Sequence, residues 1–448
     1  MTLFRTIIAF TLVLIAVTNF AHSEDGAKNI ILFIADGLGF NHITATNYFD
    51  HGEDGQQIYE KTFTPYAMST YSVNGKGYDP DQAWGAFNYF RAGSTDSAAA
   101  ATTLASGIKT LNGAIGVDRD GERVPTIVDK AESLGKATGV VSSVQIAHAT
   151  PASFVAHNKS RGKYEDIARE MIMESAVDVI MGAGHPGFGD NGEAVDYEGD
   201  EKRQRYVGGI ETWAAVKAGN AGADADGDGN ADPWTLVESR EAFREMMTST
   251  TPNRVLGLAP VHETLQADRT GNDEDTTNDP PNQTPFLDTS PALRELTAAA
   301  LNVLDNNPNG LFLMVEGGAV DWASHANQAG RMIEEMMGFG GAIEEAVDWV
   351  EANSSWDETL IVITGDHECG YLTGSDSDPE WKPIVNNGKG NLPGSEWHSK
   401  GHTNNLIPLF VKGAGADRFK KIATGTDKKR GAYTDNADVG ALMLELLR

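Results

Sequence analysis

Cysteine is almost missing: Cys369 is the only one in 448 residues, so the chain cannot close an internal disulfide. Its stability has to come from a buried apolar core, which a chain of this length can build. Positive charge is also scarce, with 35 Lys and Arg against 64 Asp and Glu and a formal net charge of −29 at pH 7. A surface of that sign repels nucleic acid and anionic membrane, so no nucleic-acid partner is expected. It repels anionic substrates as well, and a site for one must therefore carry its own local positive charge. Beyond the N-terminus there is no long apolar run. No cysteine follows that first run to carry a lipid, and Leu442 to Arg448 is no hydrophobic tail, so no membrane anchor is expected.

Arg5, the apolar run Ile7 to Phe20 and the small-x-small step Ala21-His22-Ser23 read as a signal peptide over residues 1–23, with Glu24 as the first mature residue. The expected location is periplasmic or secreted. Residues 24–448 then alternate buried strands with amphipathic helices. Continuous apolar runs mark strands at Lys28 to Ala35, Thr138 to Ser142, Val177 to Met181, Gly310 to Val315, Leu360 to Thr364 and Ile407 to Val411. Helical patterns lie at Thr126 to Leu134, Tyr164 to Ser175, Leu293 to Asn306 and Arg331 to Asn353. This alternation predicts one α/β domain, a central, mostly parallel sheet flanked by helices. Residues 184–290 and 371–401, rich in Gly, Asp, Asn and Pro, read as surface insertions, and no internal repeat is present.

In such a sheet ligands gather at the carboxyl ends of the strands. Asp36, Glu316 and Asp366 each stand there, directly after an apolar run. The ordinary role of a strand-end acid is to cap the next helix. The surroundings argue for more. A helix starting near Ala319 puts Asp321 and His325 four apart on one face, a spacing that grips a metal. Asp366 and His367 are adjacent, and Gly401-His402-Thr403 offers a further imidazole. His398 is a competing imidazole four residues earlier. Thr95-Asp96-Ser97 precedes the helix-forming run Ala98 to Ala101. Asp96 and Ser97 thus fall at a helix N-terminus, where the free N–H groups favour an anion and a hydroxyl can act as nucleophile.

These residues resemble the alkaline phosphatases, across essentially the whole chain from Asn29 onward. The matching motifs are Ile-Ala-Asp36-Gly-Leu-Gly, Thr-Asp96-Ser97-Ala-Ala, His148-Ala-Thr150-Pro-Ala, Ser-Arg161, Val-Glu316-Gly-Gly, Asp321-Trp-Ala-Ser-His325, Thr-Gly-Asp366-His367-Glu and Gly-His402-Thr. The resemblance implies hydrolysis of phosphate monoesters at alkaline pH, with two zinc ions and one magnesium per chain. It implies Asp321, His325 and His402 on one zinc, and Asp36, Asp366 and His367 on the second, with the Ser97 alkoxide beside them. It further implies Thr150 and Glu316 with Asp36 on magnesium, and Arg161 clamping two phosphate oxygens. A phosphoserine intermediate on Ser97 and a homodimer follow in the same way. Two positions depart from the best-known bacterial pattern, His148 where that pattern has Asp and Trp322 where it has Lys. Both bear on how tightly magnesium and phosphate are held.

A phosphodiesterase or sulfatase of the same superfamily is the nearest rival. The sulfatase nucleophile context, Cys or Ser in x-Pro-x-Arg, is absent, and a diesterase would lack the serine helix followed by an arginine clamp. A catalytically dead phosphate- or calcium-binding protein would have lost Ser97 or a ligand, and none is lost. Within the first insertion, Asp224, Asp226, Asp228, Asn230 and Asp232, with Gly229 at the turn, follow the pattern of a calcium loop. The twelfth position is Thr235, not the closing Glu, and a solvated acidic loop is the competing reading.

Overall fold

The computed structural model describes residues 26–225, 229–269 and 279–448. The signal-peptide segment and the acids Asp226 and Asp228 lie outside them. The fold is built on an eleven-stranded sheet. From the inside outward on one side run Thr359–Gly365, Ile407–Gly413, Thr64–Ser69, Gly431–Asp435 and Gly425–Asp427. On the other side of Asn29–Ala35 run Leu311–Gly317, Ala137–Gln145, Val179–Ala183, Val255–Leu258 and Thr235–Val237. All neighbours from Thr359–Gly365 across to Thr235–Val237 are parallel. Ile407–Gly413, expected from its apolar run alone, is antiparallel to both of its neighbours.

Alternation along Asn29–Ala35 explains why its run is apolar throughout. Ile30, Leu32 and Ile34 enter one buried cluster with Ala98, Ala101, Leu104 and Met443. Ile31, Phe33 and Ala35 enter the other with Leu296, Met332 and Ile343. The first face is covered by helices Ser97–Ser106, Ala149–Val155 and Asn436–Leu446, the second by Leu293–Leu304 and Ala329–Asn353. The small residues of Ser97–Ser106 let the last helix come unusually close. A Cβ on Gly440 would sit 2.5 Å from the Thr103 carbonyl oxygen.

The segment 184–290 is more than a surface insertion. It contributes Thr235–Val237 and Val255–Leu258 to the parallel edge of the sheet, together with helices Gly209–Lys217 and Arg240–Met246. Its composition hid these strands because each is only three or four residues long. The buried pair Arg269–Glu334, at 2.6 Å, ties it to helix Ala329–Asn353. Residues 371–401 hold only one short ladder, Leu372–Thr373 with Glu396–Trp397. Among the described residues no helix is long and apolar enough to cross a membrane.

Register places the site. Ala35 pairs with both Gly317 and Gly365, and Glu316 pairs with Ile34 and Ser142. The three central strands therefore end level, and Asp36, Asp366 and Glu316 meet at one edge. Glu316 lies inside its strand, one residue before the end, while the two aspartates follow theirs directly.

Candidate metal centre

Gly37 starts the convergence. It has φ +82°, in the left-handed region, and a Cβ there would meet the Asp321 Cα at 2.8 Å. The turn after the first strand thus packs directly against helix Ala319–Ala326, which carries Asp321 and His325. Asp366 is fixed by N–H groups from Gly37 (3.1 Å) and His367 (2.9 Å), both donating to Oδ1. Its Oδ2 is left facing the His367 Nε2 at 3.2 Å.

Ser97 is the first residue of helix Ser97–Ser106, and Asp96 is its N-cap, accepting from the Ala99 N–H at 3.0 Å. The Ser97 Oγ donates toward Asp36 Oδ2 at 3.3 Å and lies 3.3 Å from the His367 Nε2. The second Asp96 oxygen accepts from Gly113 N–H (2.9 Å) and from Arg161 Nη1 (3.1 Å). Asp96 therefore caps the helix that Ser97 opens and holds the guanidinium at the same time. Its paired oxygen makes it a positioning group, which leaves the outer face of Arg161 toward an open pocket of about 360 Å³ shared with Ser97, His148, Asp321, Trp322, His325 and His402.

Three groups of donors converge. His325 Nε2 lies 3.2 Å from Asp321 Oδ2 and 3.1 Å from His402 Nε2, itself 3.4 Å from Asp321 Oδ1. Each imidazole is oriented from behind, with the His325 Nδ1 on the Lys400 carbonyl (2.6 Å) and the His402 Nδ1 on the Thr95 carbonyl (3.0 Å). Outer N–H bonds of this kind turn the other ring nitrogen toward a metal. Cys369 joins this first group. A second brings His367 together with Asp36 and Asp321, and a third brings Asp36 together with Glu316 and His148. Thr150 is fully buried on the helix that His148 caps.

The unsatisfied atoms show that these residues fit cations. Asp36 Oδ1, Glu316 Oε1, Asp366 Oδ2 and His148 Nδ1 are all buried without a hydrogen bond of good geometry, and the Thr150 hydroxyl lies against Glu316. A cluster of orphan acceptors in a well-packed core is a cradle that cations fit. The carboxyl pKa values carry the same message. Burial, followed by the charges of Asp366, Asp321 and Glu316, drives Asp36 far up. Burial lifts Glu316 to about 7 and, with Asp321, Asp366 to about 6. Burial and then His402 push His367 down. Burial opposes the proton on His402 too, but the Asp321 carboxylate outweighs it and holds His402 up at about 9. Imidazole nitrogens with a carboxylate suit zinc, and the oxygen-rich third group suits a harder ion such as magnesium.

Of the zinc and magnesium ligands expected from the sequence, Asp36, Glu316, Asp321, His325, His367 and His402 stand in these groups, with Asp366 against His367, Thr150 against Glu316 and Ser97 against Asp36. His398 does not: its Nε2 bonds Thr373 Oγ1 at 2.7 Å and its ring packs edge-on to Phe87. Sequence reasoning placed His148 outside the ligand set, whereas its side chain reaches the third group, against Trp322 and parallel to Tyr164. It also overlooked Cys369 and Glu368, whose carboxyl, pushed up to about 7 by burial, accepts from Thr403 Oγ1 and braces the His402 strand. The signal was their nearness to His367, Glu368 being next to it and Cys369 two residues on. In the calcium-type loop, Asp224 accepts from the Gly229 N–H (2.9 Å) and Asp232 from the Ala225 N–H (2.8 Å), so these two carboxylates also shape the turn.

A parallel α/β sheet with a helix-borne serine hydroxyl and a clamped guanidinium over clustered carboxylates and imidazoles is an arrangement suited to metal-assisted phosphoryl transfer. The family model for alkaline phosphatase matches residues 27–392. The chain belongs to the alkaline phosphatase family. It is 31% identical over 366 residues to alkaline phosphatase 3 of Bacillus subtilis, covering 80% of this chain and 65% of that protein. Against the alkaline phosphatase of Escherichia coli it is 28% identical over 447 residues, covering 93% of this chain and 87% of that one. The structure of alkaline phosphatase from the Antarctic bacterium TAB5 superposes with a TM-score of 0.62 at 25% identity, over 94% of this chain and 98% of that one. A histidine-to-aspartate mutant of the TAB5 protein holds magnesium in its M3 site.

Proposed function

We propose that this chain hydrolyses phosphate monoesters at alkaline pH through a phosphoserine on Ser97, with two zinc ions and one magnesium bound. Asp321, His325 and His402 would hold one zinc; Asp36, Asp366 and His367 the other; Asp36, Thr150 and Glu316 the magnesium. When bound, the metals lower the pKa of the serine hydroxyl and of a water, and neutralise the leaving oxygen. The observation that carries the reading is the Ser97 Oγ, 3.3 Å from both Asp36 and His367 at the mouth of the Arg161 pocket.

The protein's part follows from its geometry. Arg161 offers a planar pair of N–H groups to two phosphate oxygens, held in register by Asp96. The N-terminal N–H groups of helix Ser97–Ser106 face the same anion. Ser97 attacks phosphorus, forming the Ser Oγ–P bond as the ester P–O bond breaks and the alcohol leaves with a proton. Water then attacks the phosphoserine, the Oγ–P bond breaks, and phosphate is released with Ser97 restored. The metal-holding TAB5 histidine-to-aspartate mutant supports a magnesium position tunable by one side chain, which we assign to His148 here. The N-terminal apolar segment supports a periplasmic or secreted location, and the family likeness supports a homodimer.

Enzyme quenched in acid during turnover of an aryl phosphate will carry phosphate on the peptide containing Ser97. Phosphate on another residue, or full activity in Ser97→Ala, overturns the proposal.

A further inference from the structure

Cys369 has no place in the mechanism above, yet the fold delivers it to the centre by backbone geometry. Glu368–Cys369 and His402–Thr403 form a two-residue antiparallel ladder in which Cys369 stands directly opposite His402. Opposed residues project to the same face with their Cβ atoms about 5 Å apart, so the thiol and the imidazole leave the ladder together. The Cys369 N–H donates to the Gly37 carbonyl at 3.0 Å, anchoring the ladder to the turn that packs on Asp321. Cys369 is wholly buried. Its sulfur, the two imidazoles and the Asp321 carboxylate place one donor atom each within 4.8 Å of one another. The Cys369 S–H bonds to the Asp321 carboxylate, which is only 5% exposed and whose Oδ1 lies 3.4 Å from the His402 Nε2 without a hydrogen bond of good geometry.

We propose that the Cys369 sulfur is itself a donor to the ion held by Asp321, His325 and His402, giving that position two nitrogens, one oxygen and one sulfur. The inference rests on the metal reading given under the proposed function. Donors about 2.0–2.3 Å from one zinc at tetrahedral angles are about 3–4 Å apart, which the cluster accommodates. Coordination replaces the S–H bond by a sulfur–metal bond, and the proton leaves to solvent. A fifth position on that ion would stay open to a phosphate oxygen. The soft sulfur biases this position toward thiophilic ions, whereas the oxygen-rich group around Glu316 stays with hard ones.

The single cysteine makes the test unambiguous, because a thiolate-to-metal transition anywhere in the protein must arise from Cys369. The full chain, stripped by chelator, is titrated with cobalt(II) while visible and near-ultraviolet spectra are recorded. Visible d–d bands report occupancy of the imidazole site with or without sulfur. The expected result is a near-ultraviolet sulfur-to-cobalt band that saturates with them, is abolished by zinc, and is lost in Cys369→Ser and Cys369→Ala while the d–d bands remain. Full d–d bands in the unaltered chain without the near-ultraviolet band overturn the assignment and leave the thiol as a neighbour of Asp321. No d–d bands at all overturn the metal reading together with it, and the Ser97 phosphopeptide separates those two failures.

Discussion

Exchanging His148 for aspartate and Trp322 for lysine should tighten both magnesium and phosphate and slow the enzyme. Burial, then the neighbouring Arg161, pushes His148 down to about 3, so it is neutral throughout the working range. It reaches a group that already contains Asp36 and Glu316. A third carboxylate there attracts a divalent ion by about 8 kcal/mol, taking about 4 kcal/mol per unit-charge pair at 4 Å and an effective dielectric of 20. Asp36 and Glu316 repel the new carboxylate whether or not the ion is bound, so the empty site holds it largely protonated, and shedding that proton to take the ion cancels nearly all of the attraction. What remains comes from the shorter contact to the ion, about 1–2 kcal/mol, or roughly tenfold in magnesium affinity. Lysine at 322, on the rim of the pocket, reaches phosphate through water and contributes on the order of 1 kcal/mol. Magnesium titration of stripped enzyme, the inhibition constant for phosphate and turnover at saturating substrate read these effects. Magnesium and phosphate should bind several-fold to tenfold more tightly, with turnover several-fold slower where phosphate release limits it. His148→Asn with Trp322→Lys keeps the size without the charge and should leave magnesium affinity unimproved. A charged double variant with unchanged magnesium affinity and unchanged phosphate inhibition refutes the reasoning.

Other outcomes separate the roles of neighbouring groups. Asp96→Asn keeps the helix cap and breaks the Arg161 pair, whereas Asp96→Ala loses both. Each should raise KM for an aryl phosphate several-fold, but only the alanine should cost stability, by about 1 kcal/mol in chemical denaturation; equal destabilisation by both contradicts this. Burial lifts the Glu132 carboxyl from 4.5 to about 8. The folded state therefore binds the extra proton between those values, and stability falls as pH rises from about 4.5 to 8. Glu132→Gln should remove that fall and exceed the parent by roughly 1–3 kcal/mol at pH 9, after discounting for solvent screening, while matching it near pH 4; a parent that gains on the variant with rising pH refutes it. Calcium above its dissociation constant should raise the Tm of zinc- and magnesium-replete enzyme through the loop Asp224 to Asp232, and Asp226→Ala should abolish the rise. A Tm indifferent to calcium leaves that loop a solvated turn.

The centre was legible in the sequence to the extent that its donors sit at strand ends or share a helix face. Asp36, Asp366, and the pair Asp321 and His325, stand where apolar runs stop or where a four-residue spacing repeats, and both signals are local. His402 was legible only as an imidazole beside glycine, since a two-residue strand places it and no periodicity marks so short an element. The same holds for Cys369, whose partner lies 33 positions away in the chain. The parallel sheet was predictable from its buried runs, but its far edge was not. Thr235–Val237 and Val255–Leu258 are too short to alternate and lie in a segment whose Gly and Asp content reads as loop. Direction too is absent from an apolar run, which is why the antiparallel course of Ile407–Gly413 appears only in the pairing.

The acidic surface and the anionic substrate are reconciled by where the charges lie. Most of the excess acid is solvated, where screening over about 8–10 Å confines its field. Inside, Asp36, Glu316, Asp321 and Asp366 are clustered within reach of one another, and burial, followed by the charges of their neighbours, holds three of them toward the neutral form. Such a cluster is costly without cations, and the cost is local to the level ends of the three central strands. Binding divalent ions there therefore does two things at once. It stabilises the fold where buried carboxylates crowd together, and it reverses the sign of the field at the pocket that Ser97 and Arg161 share. The strands that make the core thus also fix the position of the charge reversal, and the long-range negative field can stay in place without excluding a phosphate ester from the site.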